Sequence, residues 1–225
     1  MSHVLDRPVW SALASRHAHL AEGGPLARRY RPEVASFAAA SDESDASLAA
    51  LAALAGPGQE IRLLQASAPI APAGLSVVAS AAAVQMVLAR APAPVADARV
   101  EQLRPTDAAE MLALATLTKP GPFTLRAQDF GEFFGIRVDG RIVAMAGERL
   151  KQPGYTEVSG ICTHPDFRSR GLGRLLTVFM VHHVLGRGET PYLHAYANNE
   201  TALALYRSLG FELRTPMNVA LMQAG

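Results

Sequence analysis

Only one cysteine, one tryptophan and two lysines occur among the 225 residues, against nineteen arginines. A lone Cys162 leaves no intrachain disulfide to form. The 21 basic and 20 acidic residues nearly cancel, and no block of like charge stands out. That removes the electrostatic footprint by which nucleic acid is held. The histidines show no zinc-site spacing; His182 and His183 are neighbours on a predicted helix and point about 100° apart, which is wrong for joint ligation. The N-terminus lacks the basic start and continuous apolar core of a signal peptide. The stretch from Leu63 to Ala89 carries no charge and is long enough to span a bilayer. Pro69, Pro72 and Gly74 break it, however, and Gln65, Ser67, Ser76, Ser80 and Gln85 dilute it. What remains is a globular, cytoplasmic protein with neither metal, membrane nor nucleic acid as partner. Its 49% apolar content is ample for a core.

Alternating prolines from Ala91 to Ala98 hold the chain extended and mark a boundary between residues 1–95 and 99–225. The first half is read as a smaller α/β partner: helices at Val9 to Ala21 and about Ser44 to Ala55, and strands at Glu33 to Ala38, Ile61 to Gln65 and Ser76 to Leu88. Ser44 and Asp45 both qualify as cap of the second helix. In the second half, Val100 to Arg104 reads as a strand, and the segment from Thr106 through Met111, Leu114 and Leu117 as a helix. Thr118 to Asp129 is a loop or short helix. Phe133 to Val138 and Arg141 to Arg149 form a hairpin, because Asp139-Gly140 supplies the positive φ of a two-residue turn. Tyr155 to Thr163 is the next strand. A helix with Leu172, Leu175, Leu176, Phe179 and His183 on one stripe follows, then a strand at Pro191 to Ala197, a helix at Glu200 to Leu209 and closing strands at Phe211 to Met222. The fold class is α+β, a mixed central sheet flanked by helices.

The most informative segment is Arg168-Ser169-Arg170-Gly171-Leu172-Gly173, an R-x-x-G-x-G turn between a strand and a helix. The first N–H groups of a helix lack intrahelical partners and sit at the positive end of its dipole, so a diphosphate gains hydrogen bonds and charge there. Gly171 and Gly173 admit a close ligand, and Arg168, Arg170 and Arg174 add positive charge. An ordinary strand-to-helix turn is the plain alternative. Val158 to Pro165 precedes the turn, and Asn199 to Phe211 follows at a helix-plus-strand distance. In that order and spacing, residues 99–225 resemble the GCN5-related N-acetyltransferase superfamily. The resemblance implies acetyl-coenzyme A as co-substrate, a small-molecule or peptide amine as acceptor, and direct transfer between them. The layout of the first half also resembles two-part FR47-like and glycine N-acyltransferase-like members, whose leading half is a degenerate copy of the fold. An Ala-rich spacer or a homodimer surface is the alternative there.

The same resemblance implies that the strand before the turn splays from its neighbour, leaving the backbone of Ile161, Cys162 and Thr163 to pair with the pantetheine arm. Direct transfer needs a deprotonated amine, a stabilised oxyanion and a proton for the departing thiolate. Tyr206 stands at the usual place of the general acid, although Ala202, Leu205, Tyr206 and Leu209 also fit a plain apolar helix face. Asn199 is either a helix cap, which its position explains fully, or a cap that also faces the coenzyme. Glu157, on the side of Ser159 and Ile161 if pleating is regular, is a candidate base or a surface ion-pair partner. Cys162 reads as packing rather than nucleophile. The acceptor site falls to Thr118 to Phe130. A coenzyme-A-binding sensor without turnover is the competing function. A nucleotide-binding domain is disfavoured, since neither a Walker lysine nor a complete dinucleotide fingerprint accompanies the turn.

Overall fold

Residues 3–225 are described by the computed structural model, and the chain divides into two units that interleave in sequence. The first unit takes residues up to Gln85, Ala195–Asn199 and Leu213–Gly225; the second takes Met86–His194 and Glu200–Glu212.

The first unit opens with α1 (Pro8–Leu13), β1 (Ala21–Gly23), β2 (Ala27–Tyr30), β3 (Ala38–Ala40), α2 (Asp45–Ala52), β4 (Glu60–Gln65) and β5 (Leu75–Leu88). The periodicity from Val9 onward predicts a helix twice as long as α1. It stops because the His17 N–H turns back to the Ala12 carbonyl at 2.8 Å, and the buried His17 ring bonds the Tyr30 hydroxyl at 2.8 Å. β1 and β2 are not foreseen from the residues, and the strand predicted at Glu33 to Ala38 begins only at Ala38. Ser44 caps α2, accepting the Ser47 N–H.

The second unit holds β6 (Val100–Gln102), α3 (Ala108–Thr118), β7 (Phe133–Val138), β8 (Arg141–Gln152), β9 (Tyr155–Thr163), α4 (Leu172–Leu185), β10 (Thr190–Tyr196) and α5 (Glu200–Ser208). Its strands lie in the order β10-β9-β8-β7-β6. β9 and β10 run parallel while the other neighbours are antiparallel, which makes the sheet mixed. Asp139 and Gly140 have φ of 50° and 78° at the β7–β8 turn, as its sequence requires. One face packs Val143, Ala144 and Val158 beneath Leu172, Leu176 and Met180 of α4. The other packs Phe133, Met145 and Cys162 beneath Met111, Leu114 and Ala115 of α3.

A single 14-residue strand, β11 (Phe211–Ala224), closes the chain where more than one is predicted. It lies between β4 and β5 of the first unit, pairing antiparallel with β4 from Asn218↔Gln65 to Gln223↔Glu60. Ala220 and Met222 join Ile61, Leu63 and Leu51 in that unit's core. The two units therefore do not follow one linear cut. No helix among the described residues is long and apolar enough to cross a membrane.

Candidate active site

β9 and β10 pair through Thr190↔Tyr155, Pro191↔Thr156 and Tyr192↔Glu157, and no further. Beyond that rung both strands continue, β9 to Thr163 and β10 to Tyr196, so the sheet opens into a wedge. From Val158 onward β9 has an edge without a ladder on the β10 side, and such backbone groups demand a partner. Ile161, Cys162 and Thr163 line that stretch.

Its pleat is not regular. Gly147 pairs with Ser159 but Met145 pairs with Cys162, so β9 carries one extra residue at a bulge. Gly160 adopts φ +63° there, and a Cβ on it would come within 2.9 Å of the Phe133 ring. The bulge corrects the face expected of Ile161: it packs on the α4 side, whereas Cys162 packs on the α3 side. The Cys162 thiol is buried, and burial pushes its pKa up to about 11, which suits packing and not attack.

The turn stands beyond the wedge. Ser169 and Gly171 both have positive φ, 61° and 75°, and α4 starts at Leu172 with no side-chain cap. No atom lies within 4 Å of a Cβ built on Gly171, and only Thr163 Oγ1, at 3.7 Å, approaches one on Gly173. Uncapped N–H groups at the dipole's positive end thus face open space, as an anion cradle requires. The three arginines differ. The Arg168 guanidinium has no partner among the described residues, Arg170 lies 4.8 Å over the Phe167 ring and donates to the Asp166 carbonyl, and Arg174 donates to Ser208 of α5 at 2.8 Å. Arg174 is therefore committed to bracing α5.

Tyr206 lies on α5, 9% exposed, its ring 6.2 Å from Phe211. Burial alone pushes its phenol up to about 12, so it stays protonated at neutral pH. Asn199 is exposed just before α5, its N–H donating to the Tyr196 carbonyl at 3.0 Å.

Glu157 is fully buried at the last rung of the wedge. Arg149 of β8 grips both its oxygens, from Nε at 2.9 Å and Nη2 at 2.6 Å; the Leu150 N–H adds a bond at 3.2 Å and His194 Nδ1 another at 2.7 Å. Burial opposes the ionised form, but Arg149 and His194 outweigh it and hold the carboxyl down at about 2. A carboxylate so fully satisfied is a poor proton acceptor, which corrects the expectation of Glu157 as base. Arg149 and His194 escape notice in the sequence because neither falls in a motif, and only β8–β9–β10 adjacency joins them.

The loop from Thr118 to Phe130 lies over this region. Phe123 packs edge-on against Phe133 at 5.6 Å, and a Cβ on Gly160 would sit 3.7 Å from its ring. Leu117 and Leu125 are more than half exposed beside it. The fold also gathers Glu132, Glu148 and His183, which sequence spacing does not reveal. Lys151 and Arg187 already pair with Glu148, and Arg187 with Glu132, so the charge there is met by the protein's own cations.

The family model described as FR47-like protein matches residues 133–219. A solved GNAT-family structure from Novosphingobium aromaticivorans is 39% identical, with each chain covered over 100% of its length and a TM-score of 0.93. A mycothiol acetyltransferase of Mycobacteroides abscessus is 43% identical over 63 residues, 28% of this chain and 21% of that protein. The N-alpha-acetyltransferase RimI of Mycobacterium tuberculosis is 37% identical over 89 residues, 38% of this chain and 55% of that protein. The chain thus spans from a fifth to about half the length of these two curated relatives. It belongs to the GNAT family, the GCN5-related N-acetyltransferases.

Proposed function

We propose that the protein is an acetyl-coenzyme-A-dependent N-acetyltransferase acting on a primary amine by direct attack. The observation that carries this is the parting of β9 from β10 beyond Glu157↔Tyr192, opening toward the uncapped start of α4. Bound acetyl-coenzyme A supplies an activated acetyl thioester. The chain supplies the rest. Backbone groups of Ile161, Cys162 and Thr163 pair with the amide-bearing arm. The N–H groups of Ser169 to Gly173 and the unpartnered Arg168 take the diphosphate, with Arg170 beside them and Arg174 on the first turn of α4. Tyr206, kept protonated by burial, donates to the departing sulfur.

The acceptor enters beside the loop from Thr118 to Phe130. The relatives' names point to two sorts of amine, a small-molecule amine and a protein α-amine, so both belong in a panel assayed for free thiol release from acetyl-coenzyme A. Binding is tested independently by Gly173→Glu. The Gly173 Cβ position is open, so the fold accepts a side chain there, but the new carboxylate occupies the diphosphate's place. Calorimetry should show affinity for acetyl-coenzyme A falling at least tenfold; unchanged affinity in the folded variant removes the turn from the binding site.

A further inference from the structure

β5 is a strand of 14 residues, and its neighbour β10 has only seven. The Ala197 N–H, one residue past the end of β10, donates to the Ala82 carbonyl at 3.0 Å, and the chain then turns away into α5 at Glu200. β11 follows β5 on its other side as far as its start, where the Gly225 N–H reaches the Gly74 carbonyl at 3.4 Å. Leu75 to Ala81 thus pair with β11 along one edge and, among the described residues, with no strand along the other. The backbone groups of that second edge are presented for pairing. Burial agrees. Every residue from Ser76 to Ser80 is exposed, with Val77 at 48% and Val78 at 47%, whereas a strand with one covered face alternates.

Free edges are ordinarily guarded by lysine or proline, because an unguarded one recruits another strand. β5 carries neither: the chain is uncharged from Leu63 to Ala89, and the proline preceding β5 is Pro72, outside the strand. The composition also restricts what can cover this edge. The occupant must be extended and must set no charge against Val77 and Val78. A peptide selected by its sequence would need pockets between the strand's side chains, and Ser76, Ala79, Ser80 and Ala81 are too small to wall them. The same segment of a second copy meets both demands, being extended, uncharged and itself open along one edge. Two-fold pairing sets each strand against its own image, which repels where the strand is charged and does not where it is neutral.

We propose that the protein forms a homodimer in which Leu75 to Ala81 of two copies pair antiparallel across a two-fold axis, joining the sheets edge to edge. Full overlap of the segment puts the axis at Val78, which lies opposite its own counterpart. Ser76 then stands opposite Ser80 and Val77 opposite Ala79, so the valines cover one another and leave water. The whole surface belongs to the first unit. It is independent of the acetyltransferase reading.

Sedimentation velocity on the full chain should give a particle of twice the 23.9 kDa chain mass. Val78→Lys sets two ammonium groups face to face and Val78→Glu two carboxylates. Either should weaken the dimer about tenfold or more, since like charges directly opposite oppose strand pairing. Val78 is half exposed, so the fold accepts both side chains, and the emission of Trp10, which reports on the first unit, should not move. Val78→Thr, β-branched and uncharged, should dimerise as the unmodified protein does. Mixing the Lys and Glu variants sets opposite charges across the axis and should restore more dimer than either variant forms alone. An unmodified protein that is monomeric at every soluble concentration overturns the proposal, even where an added uncharged peptide binds this edge instead. So does a folded Val78→Lys variant that dimerises as tightly as the unmodified protein, or a Lys–Glu mixture no more dimeric than its components.

Discussion

At the scale of single residues, burial raises the proton affinity of Tyr206 and of Glu157 alike, and only the charged partners of Glu157 reverse it there. Tyr206 is buried without a hydrogen bond to favour its anion, so it remains a donor. Tyr206→Phe keeps the ring against Phe211 and removes only that donor. The expected outcome is a fall in kcat at the low end of general acid effects, about 10²-fold, because a thiolate is already a fair leaving group. Affinity for acetyl-coenzyme A and thermal stability should hold. An equal kcat on an amine for which chemistry limits the rate would return Tyr206 to packing and favour a coenzyme sensor. Glu157 is the reverse case, fully buried yet ionised. Its folded pKa of about 2 lies below the ordinary 4.5, so it contributes stability that is present above about 4.5 and lost as pH falls toward 2. At neutral pH the linkage amounts to roughly 3 kcal/mol. Urea unfolding of unmodified and Glu157→Gln proteins should show a stability gap at pH 6 that narrows by pH 3. A gap that stays constant would mean the carboxylate's pairing contributes nothing.

At the scale of elements, β9 is the strand on which the site turns. Its alternation and β-branched content make it a strand from end to end, but a regular strand would continue to pair with β10. The bulge at Gly160 changes which face Ile161 and Cys162 present, along the stretch where the ladder to β10 has already ended. Only glycine serves, since φ is +63° and the Phe133 ring stands 2.9 Å from where a Cβ would be. Gly160→Ala should cost roughly 2–4 kcal/mol from the positive φ and the overpacking together. It should also weaken acetyl-coenzyme A binding, because the backbone of Ile161 to Thr163 shifts with the bulge. A Tm within a degree of the unmodified protein would show that Phe133 yields and that the bulge is not fixed by this residue.

At the scale of the whole molecule, the interleaving of the two units decides how the chain can be divided. β11 lies between β4 and β5, and Ala220 and Met222 are part of the first unit's core. A chain ending at Gly210 therefore leaves two strands with a missing neighbour and an open core. Trp10, the single tryptophan, lies in α1 of that unit and reports on it alone. Truncation at Gly210 should red-shift Trp10 emission to that of an unfolded chain, and residues 1–95 expressed alone should show the same. A native emission maximum in either would show that the first unit folds without β11.

Periodicity, the Asp139-Gly140 turn and the glycine-arginine run of Arg168 to Gly173 act over a few residues, and each specifies its own backbone conformation wherever it is placed. For that reason the second half's strands and helices, the start of α4 and the position of Tyr206 are legible in the residues themselves. Glu157, Arg149 and His194 stand on three different strands, and nothing local couples them; their meeting depends on strand order and on the rung at which β9 and β10 part. The end of α1 at a buried His17–Tyr30 bond and the place of β11 between β4 and β5 are of the same kind. Each is decided by a contact between residues far apart in sequence, whose free energy exists only once the sheet has formed.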